Sequence, residues 1–141
     1  MSATAAEVSP YLFVYGTLMT RTRGLLGACE RARLQREGTN LGPATIAGRL
    51  IDLGTEPGLL EPANSGDVVH GELFHLEQPT EVMSWLDSYE EVSPETTPKD
   101  EYARILMKVH LPSGEEVRAW VYCYRGSTYD RPVITSGRWD G

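Results

Sequence analysis

The sequence predicts one α+β domain, and three observations carry that reading. Tyr11, Leu12, Phe13, Val14 and Tyr15 are five consecutive large residues bounded by Pro10 and Gly16; an apolar run without alternation reads as a strand buried on both faces. Between residues 79 and 89 the period changes, with Val82, Trp85, Leu86 and Tyr89 at i, i+3, i+4 and i+7, the stripe of an amphipathic helix. Residues 102–124 return to a period of two on either side of Pro112 and Gly114, the pattern of a β-hairpin.

At 141 residues the chain is long enough for one domain that buries roughly two-thirds of its unfolded surface. Residues 1–9 read as a frayed tail and residues 10–141 as the domain. A net charge of −7 argues against nucleic acid or an anionic membrane as partner. No run approaches the roughly 18 apolar residues a spanning helix needs. The first nine residues lack the basic start and apolar stretch of a secretory signal, so a cytoplasmic protein is expected. Cys29 and Cys123 lack metal spacing and are expected to be buried or inert. His70, His75 and His110 make no metal constellation; His70 and His75 should point to opposite faces of one strand.

Taken in order, the first strand ends in Gly16, Thr17 and Leu18. A sharp turn after a buried strand leaves backbone N–H groups without ladder partners, which makes it either an oxyanion pocket or an ordinary glycine turn. Arg21, Arg23, Arg31, Arg33 and Arg36 lie among Glu30 and Glu37, which reads as a solvated loop with short helical turns that at most rims a pocket. Gly42 and Pro43 punctuate the chain; residues 45–53 read as a second strand, ended by the turn at 54–58. Residues 68–76 read as a third, with Gly71 inside it marking a bulge or a close approach to the backbone. The helix follows, with Thr80 as its expected cap.

The end of that helix carries the chemistry. At 100° per residue, Glu90 lies about 90° from the centre of the apolar stripe, Asp87 about 150° and Glu91 nearly opposite. Glu90 therefore sits at the border of the buried face, where its carboxyl can enter a partly dry cleft or simply remain a solvated charge. In the hairpin, Ala103, Ile105, Met107 and Val109 should face the core, as should Val117, Ala119, Val121 and Cys123. Trp120, Tyr122 and Tyr124 share the other face, as packing or with phenols lining a polar cavity. Trp139 is expected to dock on the sheet.

Several stretches together resemble the gamma-glutamylcyclotransferase-like family. They are Phe13-Val-Tyr-Gly-Thr-Leu18, Gly48-Arg-Leu-Ile-Asp-Leu53 with Pro57-Gly-Leu59, Val69-His-Gly-Glu-Leu73, Leu86-Asp-Ser-Tyr-Glu90, Tyr102-Ala-Arg104, Ala119-Trp-Val-Tyr122 and Ser136-Gly-Arg-Trp139, in family order. The resemblance implies a compact mixed sheet forming a small barrel-like core with a few short helices and a cavity at its mouth. It implies Glu90 as acid/base and Tyr15, Gly16, Thr17 and Leu18 as the turn that holds substrate, with Tyr122 as a further candidate binding residue. The expected ligand is a small gamma-glutamyl amine or peptide that closes to 5-oxoproline, with no cofactor or metal; a non-catalytic module holding an amino-acid-like ligand is the alternative. Three positions depart from the family pattern: Met19 where a basic residue is common, Glu91 in place of a frequent Gly, and Arg138 in place of a frequent Asp.

Overall fold

The computed structural model describes residues 9–19, 22, 27–92 and 101–139. The expectations about the first eight residues, Arg21, Arg23 and the Pro-rich loop at 93–100 lie outside them. Among the described residues, seven strands and two helices run in the order β1 (Tyr11–Val14), α1 (Ala28–Glu37), β2 (Gly38–Ala47), β3 (Arg49–Asp52), β4 (Pro57–Leu60), β5 (Val68–Leu76), α2 (Pro79–Tyr89), β6 (Tyr102–His110) and β7 (Glu116–Tyr124).

Five strands close into a barrel in the order β1-β5-β2-β6-β7, while β3 and β4 form a separate two-stranded sheet. The first strand is the seam. Its run without alternation has an antiparallel partner on one edge, from Tyr11↔His75 to Val14↔Glu72, and a parallel one on the other at Leu12↔Trp120. Leu12, Phe13 and Val14 are all buried against Leu73, Phe74, Val109 and Val121. Burying each such side chain is worth about 1.5–3 kcal/mol, so the barrel is held by its apolar filling. Gly71 meets the close-approach expectation: a Cβ there would fall on the Val14 carbonyl oxygen and the Phe13 ring.

Four expectations change. The Arg-rich stretch holds a ten-residue helix, α1, of which Leu34 alone is buried; a single apolar anchor leaves almost no stripe to read. The strand foreseen at 45–53 is two, β2 and β3, parted at Gly48, and β2 starts at Gly38 and runs through Gly42 and Pro43. A register shift between Asn40 and Gly42 lets it do so, since a bulge tolerates the irregular pair that a regular ladder would not. Thr80 is not the cap of α2; Gln78 holds that place without a side-chain bond, and Pro79 opens the helix. Cys29 is exposed rather than buried, whereas burial pushes the half-buried Cys123 thiol up to about 11, which leaves it unreactive.

The hairpin forms from Tyr102↔Tyr124 to His110↔Glu116, but its faces are less cleanly divided than alternation suggests. Ile105 is exposed, and Tyr102, Tyr122 and Tyr124 of the other face are buried, because β3 and β4 cover that side: Gly58 lies directly on Tyr124. Trp139 is buried in the core cluster. No described helix is long and apolar enough to cross a membrane.

Candidate active site

Glu90 owes its position to how α2 ends. Its N–H donates to the Leu86 carbonyl, the Glu91 N–H to Ser88 and the Val92 N–H to Asp87, at 2.8, 3.2 and 2.8 Å. Glu91 takes the left-handed conformation at φ 57°. This is a Schellman stop, which wants Gly at the left-handed position. It fixes the Glu90 backbone at the last turn, where its half-buried side chain lines a cleft, while Glu91 is exposed.

The facing wall is the turn after β1. The Met19 N–H closes it on the Gly16 carbonyl at 3.1 Å, and the Thr22 hydroxyl donates to the same oxygen at 3.0 Å. Arg31 of α1 donates to the Thr17 carbonyl at 2.6 Å, and the Thr17 hydroxyl meets the Tyr89 hydroxyl at 2.9 Å. With its carbonyls so held, the turn leaves the N–H groups of Gly16, Thr17 and Leu18 without an acceptor among the described residues. Gly16 itself has no room for a side chain, since a Cβ would stand 2.9 Å from the Pro57 ring.

One narrow cleft brings these pieces together. Tyr15, Gly16, Thr17, Leu18, Glu90 and Tyr122 all line it, joined by Glu56, Pro57 and Tyr102. Its empty volume is about 380 Å³ including the open mouth, of which the centre of a water molecule can reach about 30 Å³. A trough beside β2, of about 1480 Å³ on the same measure, is larger; Met19 lines its edge, but Glu90, Gly16, Thr17 and Leu18 do not. Chemistry rather than size picks the cleft.

Among the described residues the Glu90 carboxyl has neither a hydrogen-bond donor nor a cationic partner. Burial first, then the nearby charges of Glu56 and Asp87, push it up to about 8. Tyr15, Tyr102 and Tyr122 are each raised well above the usual phenol range, chiefly by burial and in part by the Glu90 charge. Three neutral phenols thus surround one poorly hydrated carboxyl.

Tyr15 supports both walls, donating to the Tyr122 carbonyl and accepting from the Leu59 N–H at 3.3 Å. The Tyr122 hydroxyl donates to Asp87 Oδ1 at 2.6 Å, and Arg104 grips the same carboxylate with two bonds of 2.8 and 3.1 Å while lying over the Trp120 ring. Asp87 is therefore turned inward to a partner rather than outward, and Tyr122 lines the cleft with its hydroxyl already engaged. Tyr124 does not reach the cleft, because its hydroxyl donates to the Ser127 carbonyl. Sequence reasoning passed over Glu56, Tyr102, Arg31 and Asp87 as site-builders. For Tyr102 and Arg104 the signal was the Tyr-Ala-Arg run at 102–104; for Glu56 and Arg31 no local pattern marks a contact made across the fold.

A closed five-stranded barrel with a separate two-stranded sheet and two helices is a fold with several solved relatives. The chain is similar to protein ytfP from Escherichia coli (28% identity, TM-score 0.61, covering 92% of this chain and 96% of that one). An AIG2-like protein from Mus musculus is 23% identical with a TM-score of 0.62, covering 85% of this chain and 78% of that one. YkqA from Bacillus subtilis is 20% identical with a TM-score of 0.64; 92% of this chain is covered, but the chain spans only 39% of YkqA. No curated protein matches the sequence. Residues 12–141 match the family described as "Gamma-glutamyl cyclotransferase, AIG2-like", and the chain belongs to that family.

Proposed function

We propose that the protein is a gamma-glutamyl amine cyclotransferase that uses Glu90 as its single general acid/base. The observation that carries this reading is the unpartnered Glu90 carboxyl, raised to about 8, in the same cleft as the Gly16 turn with its free N–H groups. A carboxyl with neither counter-ion nor hydrogen-bond donor has no stabilising role, and its raised pKa suits proton transfer near neutrality.

The substrate carries its own nucleophile. The α-nitrogen bonds to the side-chain amide carbon, closing a five-membered ring, and the bond from that carbon to the amide nitrogen breaks. The α-ammonium keeps one proton in the lactam, and the other two end on the released amine, which leaves as an ammonium ion. Ionised Glu90 takes the first of these protons and returns it to the leaving nitrogen. Holding the glutamyl unit folded supplies several kcal/mol of the barrier, since closure is intramolecular. The carbonyl oxygen becomes an oxyanion for which the N–H groups of Gly16, Thr17 and Leu18 are the available donors, each worth roughly 10²- to 10³-fold in rate.

The test is 5-oxoproline release from gamma-glutamyl amines, gamma-glutamyl dipeptides and glutathione by the native chain and by Glu90→Gln. Turnover of at least one by the native chain, reduced at least 10³-fold in Glu90→Gln with the fold retained, is expected. Saturable binding without product would favour a binding module of the same fold, and full activity in Glu90→Gln would remove the assigned role.

A further inference from the structure

The trough beside β2 has a polar row along one side and an apolar wall along the other. Cross-strand partners put their side chains on one face of a sheet. Thr45 of β2 is the partner of His70 in β5 and of His110 in β6, so His70, Thr45 and His110 stand in a row across three strands, each step about 5 Å. All three line the trough, and Arg138 joins them. The His70 N–H donates to the Gly137 carbonyl at 2.8 Å, and Gly137 turns left-handed at φ 69°, where a Cβ would strike the Val68 carbonyl oxygen. This docks the C-terminal turn on β5 and sets Arg138 near His70, whose pKa is held below its usual range by burial first and then by the Arg138 charge.

The polar groups of the row lack partners. Among the described residues the Arg138 guanidinium, the His70 imidazole and the Thr45 hydroxyl have no hydrogen-bond partner and no opposite charge within ion-pair distance. The acids on the same face are taken: Glu116 Oε2 lies 3.1 Å from His110 Nδ1, and Glu72, two residues from His70, has a contact of its own. In a chain of net charge −7, a guanidinium left beside an imidazole without a counter-ion is an arrangement that an oxyanion completes, since Arg presents parallel N–H donors to carboxylate or phosphate.

The apolar wall comes from the bulge in β2. Asn40 faces Phe74 and Gly42 faces Leu73, which leaves Leu41 as the extra residue, 47% exposed. Bulges re-aim side chains, and this one puts Leu41 on the trough with Pro43, Leu111 and Pro112. Leu41 is four residues from Thr45, roughly 13 Å along a strand. The centre of a water molecule reaches about 860 Å³ of the trough, the size of a small-molecule site.

We propose that the trough beside β2 is a second binding site, taking a small organic anion whose carboxylate or phosphate head is held by Arg138, His70 and Thr45 and whose apolar body lies against Leu41 and Pro43. A ring on a short chain spans from head to wall. Glu90 and the Gly16 turn take no part, so this site stands or falls apart from the cyclotransferase reading.

The experiment is calorimetric titration of the native chain with 4-phenylbutyrate, 3-phenylpropyl phosphate and the uncharged 4-phenylbutanamide, with amide NMR shifts locating each ligand. Saturable binding of at least one anion is expected, about tenfold or more tighter than the amide, with shifts at Thr45, His70 and Arg138. The anion that binds more tightly identifies the head group as carboxylate or phosphate. Arg138→Gln should weaken that binding by about tenfold or more and Leu41→Ser, a change at an exposed side chain, by about threefold, while Glu90→Gln leaves it unchanged. Failure of both anions to bind, equal binding of the amide, or affinity unaltered in Arg138→Gln or in Leu41→Ser would overturn the assignment. So would loss of binding in Glu90→Gln with shifts at Gly16 to Leu18, which would put the anion in the cleft instead.

Discussion

Ionising Glu90 works against the fold. Its carboxyl is raised from 4.5 to about 8 in the folded chain, so between those values the unfolded chain gives up a proton that the folded one keeps. By linkage, stability is greatest below about pH 4.5, declines as pH rises towards 8, and is then level as far as this group is concerned. Glu90→Gln removes that decline. Thermal unfolding of the two proteins from pH 5 to 9 is expected to give similar midpoints at pH 5 and an increasingly more stable variant up to about pH 8, together with the loss of activity. The same linkage governs the rate: kcat/KM should rise with pH through a limb near 8 in the free enzyme. Glu56→Gln, by removing a neighbouring negative charge, should move that limb to lower pH. The place of Glu90 was legible because helical geometry put it at the edge of the apolar stripe. Glu56 was not, since its relevance comes from a contact with residues of other elements that local pattern cannot encode.

The stop of α2 is the element on which the site depends. Glu91 occupies a left-handed position that suits Gly, and substitution there is expected to relieve strain without touching the cleft. Glu91→Gly should stabilise the protein by about 0.5–1 kcal/mol, read as a higher denaturant midpoint at unchanged slope. One turn earlier, the Asp87 carboxylate joins α2 to β6 through Arg104 and to β7 through Tyr122. Asp87→Ala leaves a partly buried guanidinium and a phenol without their acceptor, which should cost about 2–3 kcal/mol and let Tyr122 drift from the cleft. α2 and the hairpin could be read from sequence because each has a strong period. α1 could not, since nine of its ten residues are not buried, and its contribution to the site is one arginine bonded to the Thr17 carbonyl. The split of the second strand was also hidden: Gly48 sits against Leu59 and the Leu60 carbonyl, a tertiary reason with no local mark.

At the scale of the whole molecule, barrel closure is what brings residue 16 to residue 90. The strand order β1-β5-β2-β6-β7 sets the end of β1 beside β7, and the β3–β4 sheet lies over β7 at Tyr124, so Glu56 and Tyr122 line the same cleft. The closure is tight where β1 meets β5. Gly71→Ala drives a methyl into the Val14 carbonyl oxygen, a backbone atom that cannot swing aside, and is expected to cost about 1–3 kcal/mol or more with a fall in melting temperature. The run of five large residues announced the central strand, but closure into a barrel followed only from the resemblance of seven short stretches in order.

The most direct measurement is a carbon-detected NMR titration of glutamate side chains, with and without added 5-oxoproline. The account predicts one carboxyl titrating near pH 8 that is absent in Glu90→Gln and whose signal and pKa move when 5-oxoproline binds. If Glu90 titrates in the ordinary carboxylate range and does not respond to the ligand, the cleft is not the catalytic site.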